Sequence, residues 1–181
     1  MKKTLILIAS LMLAVTVKAA DTHNAATPAP AAGPTDPQIA DIVVTADNVD
    51  IEAGKMAKSM TKSSEVKKFA NQMITDHTAV NKSATDLAKK LNVTPEESDT
   101  SRALKKGGED SMAKLKSLKG KAFDKAYVDN EVSYHQTVLD AIDKTLIPSA
   151  KNEELKNLLT KVRPNIAAHL EHAKHLQSTM K

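Results

Sequence analysis

The chain of 181 residues has the length of one domain, and it contains no Cys, no Trp, two Phe and two Tyr. The missing Cys excludes thiol catalysis, disulfide scaffolds, Cys-based zinc sites and a lipoprotein anchor, and so few aromatics exclude a base-stacking platform. The net charge is +4, but setting aside Lys2, Lys3 and Lys18 of the first 19 residues leaves 23 of the 26 cations against 22 anions, too even a balance for a dedicated nucleic-acid binder.

Met1-Lys2-Lys3 is a basic n-region, followed by an apolar stretch from Leu5 to Val17. That stretch is too short for a bilayer core of about 30 Å, which takes about 20 helical residues. Val17-Lys18-Ala19 then offers small residues at the −3 and −1 positions of a cleavage site. Residues 1–19 are therefore predicted to be a signal peptide, cleaved after Ala19. The expected location is the periplasm or the outer membrane, and no later stretch is apolar enough to be a transmembrane segment. Residues 20–35 are rich in Ala, Pro and Thr and lack large apolar side chains. Such a segment cannot repay the entropy of ordering and is predicted to be a disordered tether. The folded domain is expected over residues 36–181.

Thr35-Asp36-Pro37 is a helix start, a capping side chain followed by Pro in the first turn. Ile39, Ile42, Ala46, Val49, Ala53, Met56 and Met60 then alternate steps of three and four, the seam of a first helix. A second helix starts at Ser63-Ser64 and carries Val66, Phe69, Met73, His77, Val80, Ala84, Leu87 and Leu91. A third bundle helix runs from near Lys121 through Phe123, Tyr127, Glu131, Tyr134, Val138, Ile142 and Leu146 to Pro148. The fourth is capped by Asn152 and carries Leu155, Leu158, Val162, Ile166, His169, Ala173, Leu176 and Met180. Within it Pro164 has no N–H to give and should clash with the preceding turn, so a kink that frees the Thr160 carbonyl is expected, with a tolerated defect as the alternative. The segment between the second and third bundle helices is too long for a tight turn. Ser101–Lys106 and Glu109–Leu118 read there as two short helices broken by Gly107-Gly108. The pattern predicts an all-α, ferritin-like four-helix bundle whose long helical crossover sets helices two and three parallel.

Five of the six histidines fall in the helical domain, and His77 and His169 occupy seam positions among apolar neighbours. Glu131 and His135 lie four apart on one helix face. His169, His172 and His175 step by three, so the later members rotate toward solvent, and Glu52 flanks the first seam. In antiparallel hairpins Glu52 and His77 differ in height by roughly 7 Å, and Glu131 and His169 by about 3 Å. Side chains tilt toward their helix N-termini and close both gaps. A metal cluster of Glu52, His77, Glu131 or His135, and His169 is the chemical hypothesis. Its alternative is a set of hydrogen-bonded core imidazoles. Imidazole-rich ligation favours Zn(II), Cu(II) or Ni(II), with iron where two carboxylates join. Met56, Met60 and Met73 read as core filler. The basic run from Arg102 to Lys125 reads as a solvated face, with contact to anionic envelope lipid as the weaker alternative.

The stretch Asn48-Val-Asp-Ile-Glu-Ala-Gly-Lys-Met-Ala57, the block Val66-Lys-Lys-Phe-Ala70 leading into Met73-Ile-Thr-Asp-His-Thr-Ala-Val-Asn81, the run from Phe123 to His135, and Arg163-Pro through His169-Leu carry a resemblance. Together they resemble an exported bacterial family known as domain of unknown function 4142, ferritin-like and labelled as outer-membrane proteins. The resemblance spans roughly Asp36 to the C-terminus. It implies fold and compartment rather than a reaction. It adds Asp76 to Glu52, His77, His135 and His169 as positions matching the family's polar pattern, with Glu131, His172 and His175 beside them. Ferritins and di-iron oxidases use Glu-x-x-His on two helices. Here Glu52, Glu65, Glu131 and Glu171 are followed three residues on by Lys55, Lys68, Tyr134 and Lys174, so iron oxidation is not assigned. The favoured function is a non-catalytic transition-metal-binding or stress-tolerance protein of the cell envelope, with Zn, Cu or Fe as the ion. The alternative is a structural or interaction module without metal. An enzyme ranks third, because no nucleophile–base pair or Gly-rich phosphate loop is visible.

Overall fold

The caps written in the sequence set the helix starts in a computed structural model that describes residues 33–180. The expected signal peptide and residues 20–32 of the expected tether lie outside the described residues. Helix α1 (Asp36–Met60) begins with a reciprocal capping box: Thr35 Oγ1 accepts from the Gln38 amide at 3.4 Å, and Gln38 Oε1 accepts from the Thr35 amide at 3.0 Å. Helix α2 (Ser64–Lys90) is capped by the Ser63 hydroxyl, which accepts from the Val66 amide. After the crossover helix α3 (Asp99–Lys116) come α4 (Gly120–Ala141) and α5 (Glu153–Thr179). Asn152 Oδ1 caps α5 by accepting from the amides of Glu154 and Leu155. Helix α5 runs unbroken through Pro164, and Pro164 and Thr160 both lie on its exposed side. The described residues form an all-α helical bundle, and none of their helices is long and apolar enough to cross a membrane.

Chain direction is set by which residues meet. Three residues join α1 to α2, and Asn48 and Asp47 reach Asn81 and His77 across an antiparallel hairpin. Phe69 stacks edge-on against Tyr127, and eight residues further along both chains His77 meets His135. Helices α2 and α4 therefore run parallel, as a long crossover requires. Helix α3 returns the chain to the other end, its 18 residues spanning about 27 Å at 1.5 Å each.

Two expectations are corrected here. The crossover holds one helix, not two short ones, and Gly107-Gly108 lies inside it. A Cβ on Gly108 would stand 2.7 Å from Val49 Cγ1, whereas one on Gly107 would meet nothing within 4 Å. Gly108 is thus a point of close approach of α3 to α1, not a breaker. The third bundle helix does not stay α-helical to Pro148. It passes into a π segment, Ile142–Leu146, where the Ile147 amide donates to the Ile142 carbonyl, and ends in the short turn Ile147–Ser149 that includes Pro148.

The apolar side chains form two clusters. One holds Phe69, Met73, Phe123, Tyr127, Val128 and Ala173, and the other Ile39, Ile42, Val43, Ile142, Leu146, Leu159 and Ile166. On every long bundle helix the buried polar residues fall between the two: Asp50 between Val43 and Ala53, His77 between Met73 and Ala84, Glu131 and His135 between Val128 and Ile142, and His169 between Ile166 and Ala173.

The neighbouring glycines of α3 should respond oppositely to the same substitution. Gly107→Ala should stabilise by about 0.5–1 kcal/mol through helix propensity alone. Gly108→Ala should destabilise, because overpacking costs about 1–3 kcal/mol and exceeds that gain. Urea unfolding of the two variants beside the parent checks the pair of signs.

Candidate functional site

Six ionisable side chains meet at the middle of the bundle: Asp47 and Asp50 of α1, His77 of α2, Glu131 and His135 of α4, and His169 of α5. None exposes more than 4% of its surface. The three imidazole centroids form a near-equilateral triangle, 5.6 Å from His77 to His135, 5.3 Å from His77 to His169 and 5.4 Å from His135 to His169.

Each ring has one nitrogen committed and one left over. His77 Nδ1 lies 2.8 Å from Asp47 Oδ1. His135 Nδ1 lies 3.0 Å from its own helix's Glu131 carbonyl. His169 Nε2 lies 2.9 Å from Asp76 Oδ2. Because these partners only accept, each ring donates there; the other nitrogen is the lone-pair side in the neutral rings of His135 and His169, and in the charged ring of His77 it carries the second proton. Those others, Nε2 of His77, Nε2 of His135 and Nδ1 of His169, are buried without a hydrogen bond. Both oxygens of Asp50 and both of Glu131 are in the same condition. Asp50 Oδ2 stands 2.7 Å from His77 Nε2 and 3.7 Å from His135 Nε2, close contacts that are not aligned hydrogen bonds. One nitrogen from each of the three rings lies within 4.8 Å of the other two, and Asp50, Glu131 and His135 make a second such group.

Electrostatics separate the members. Burial opposes a charged His77, but Asp50 and Asp47 outweigh it and push the imidazole up to about 10. Burial alone would likewise raise Asp50, yet the His77 imidazolium holds it down to about 2. Burial, and then the Asp50 charge, drive Glu131 well above the usual carboxylate range, so it keeps its proton. Burial brings His135 down to about 4 against the pull of Asp50. Burial also lowers His169, against its bond to Asp76, and raises Asp47, against the His77 charge. Tyr127 and Tyr134 are raised by burial and by these carboxylates and stay neutral, Tyr134 donating to the Ala46 carbonyl at 2.8 Å.

Of the residues expected from sequence, His77, Glu131, His135 and His169 come together here, with Asp76 one step behind as the acceptor that orients His169. Glu52 does not join them. Its side chain is 55% exposed on the outer face of α1 and pairs with Lys55 at 2.7 Å. His172 also stands apart, half-buried, at 3.1 Å from Gln72 Oε1 and edge-on to Phe69. His175 is exposed, and Lys106 and Lys125 of the basic run pair with Asp110 and Asp129 on a solvated face.

Asp47 and Asp50 are the residues that the sequence reading missed. They belong to a stripe of Val43, Asp47, Asp50, Gly54 and Ala57, displaced by one position from the expected seam and buried throughout. Of the expected seam, Ala46, Val49, Met56 and Met60 are only half-buried. The available signal was the same alternation of four and three, carried by two small residues and interrupted by two aspartates.

A family model described as a domain of unknown function, DUF4142, matches residues 20–176. The chain belongs to that family, and the match contains every member of the cluster. No curated protein and no solved structure matches the chain.

The assigned charges are checked by following the ring carbons of metal-free protein by NMR. His77 should remain imidazolium, and His135 neutral, across pH 5 to 8, while Asp50→Asn should bring the His77 transition down into that window. The linked stability has definite signs. The His77 contribution is complete below its ordinary value of 6.5 and is lost as pH climbs toward about 10. The Asp50 contribution is complete above 3.8 and lost as pH falls toward about 2. His135 weakens the fold as pH falls from 6.5 toward about 4, since only the unfolded chain takes up that proton. A His77 ring titrating near 6.5 would rule out the ion pair.

Proposed function

We propose that this family member holds a transition-metal ion at the centre of its bundle, as a non-catalytic metal-binding protein of the cell envelope exported by its signal peptide. The observation that supports it is the arrangement of the rings. Three imidazoles from three helices each bring one nitrogen within 4.8 Å of the other two, and each ring has one nitrogen anchored by an acceptor and one without an aligned hydrogen bond. Native interiors leave few buried polar atoms unpaired, and a group of them converging on one point suits an ion. Nε2 of His77 and His135 and Nδ1 of His169 would supply three ligands, and Asp50 the fourth, with Glu131 in reserve. Asp47, the Glu131 carbonyl and Asp76 would then be the outer partners that fix tautomer and ring orientation. Three imidazoles and a carboxylate suit Zn(II) or Cu(II), and the second carboxylate brings iron within the set.

Binding would displace the proton on His77, and on Glu131 where it joins, so affinity should rise with pH. Burial of every donor suits retaining an ion better than admitting a polar substrate. One observation favours the alternative of a metal-free interaction module: the Asp50 and His77 charges already balance each other.

Thermal melts of tag-free protein separate the two. A ligand at a hundredfold excess over Kd adds about 2.7 kcal/mol to stability. In a domain of this size each kcal/mol moves the melting temperature by about 2–4 °C. Zn(II) or Cu(II) should therefore raise the melt by several degrees at neutral pH and by less near pH 5. His77→Ala, His169→Ala and Asp50→Asn should abolish the rise, while Glu52→Gln and His172→Ala should retain it. If neither these ions nor Fe(II) moves the melt, the metal-free module is the correct reading.

A further inference from the structure

A largely apolar, partly enclosed cavity of about 110 Å³ lies against one side of the polar cluster. Asp47, His77 and His135 of the cluster line it together with aliphatic side chains such as Ile42, Leu146 and Leu159. Protein interiors close nearly all voids larger than a water molecule, so a space this size beside a group of unpaired donors calls for an occupant. Water is a poor one for most of its length, since a buried water needs two to four polar partners. Two of the hydroxyls on the lining already donate their protons, Tyr134 to the Ala46 carbonyl and Thr137 to the Ser133 carbonyl, at 2.8 and 2.9 Å. The buried atoms of the lining without a hydrogen bond, Asp47 Oδ2 and Nε2 of His77 and His135, all belong to the polar cluster.

A second observation concerns the wall itself. Ile142 and Leu146, the first and last residues of the π segment, both face this space. One extra residue in a helical turn rotates the rest of the helix by about 100°, so the position of Leu146 depends on that turn. Single π turns inside α-helices occur frequently at functional sites.

We propose that the cavity is a binding site for one small uncharged apolar molecule of dissolved-gas size, seated against the His77 and His135 side of the cluster. A dry cavity of about 150 Å³ takes up benzene or xenon, and the smaller volume here favours an occupant below benzene in size. Apolar walls admit such a molecule and exclude ions and sugars. The site stands on the cavity alone. Its further role, as the approach by which a neutral molecule reaches the ion, rests on the metal reading above.

Xenon is the probe. Crystals of metal-free, tag-free protein under xenon pressure should show one xenon atom between Ile42, Leu146 and Leu159. The peak should vanish in Ala141→Leu, which puts a larger side chain into the lining. If that variant does not crystallise, Ala46→Leu serves in its place, and in solution xenon should shift the methyl signals of Ile142 and Leu159 in the parent only. Ordered water in place of xenon, or xenon retained in both filled variants, would overturn the proposal. Xenon bound by a protein that no metal stabilises supports the cavity and removes the approach role. A protein that metal stabilises but whose cavity takes no xenon overturns this proposal and leaves the metal reading standing.

Discussion

A charged Asp50 at the centre of a helical bundle is tenable only because His77 faces it. An unpaired carboxylate in such a place costs several kcal/mol even after relaxation, and at 1% exposure water offers Asp50 no relief. The His77 imidazolium meets that demand at 2.7 Å, and Asp47 holds the ring from the other side at 2.8 Å. Burial, reinforced by the Asp50 charge, keeps the proton on Glu131, and burial keeps His135 neutral against the pull of Asp50. A metal ion entering this group would take over the work that the His77 proton does, neutralising Asp50 while using the lone pair that the proton had occupied.

The same pair constrains how the helices slide. Each member sits on its helix between a residue of one apolar cluster and a residue of the other. Apolar seams tolerate displacement by a turn, because one aliphatic contact replaces another. A displacement of α2 along α1 by one turn, about 5.4 Å, would strip Asp50 of its partner and bury the charge alone. Polar layers of this kind specify register at some expense in stability. Here the register extends to α4 and α5 through the His135 and His169 rings, which meet His77 within 5.6 Å.

The sequence told much of this. Thr35, Ser63 and Asn152 cap the helices they were expected to cap, because capping is local chemistry. His77, His135 and His169 stood out as polar residues on or beside apolar seams. Asp50 did not, because a search for apolar periodicity discounts the stripe that carries functional carboxylates. Glu52 and Asp50 both stood one residue from the expected seam, yet the true stripe is one position on, about 100° around the helix, and that rotation buries Asp50 and sends Glu52 to solvent. Gly107-Gly108 read as a break for a similar reason. Glycine signals a breaker by propensity, and only the approach of Val49 reveals that the second one is a contact.

The two halves of the core are unequal. On one side Phe69, Phe123 and Tyr127 fill the space with rings in edge-on and stacked contact. On the other the side chains are aliphatic, mostly β-branched or Leu, and α4 leaves its regular path at Ile142. Stiff branched side chains cannot spread to fill an irregular gap as Met would. A widened helical turn moves their backbone support as a unit. The space that remains therefore lies on the aliphatic side and runs up to His77, His135 and Asp47. The polar cluster thus lies between an aromatic core group and an aliphatic one, and the void borders it on the aliphatic side.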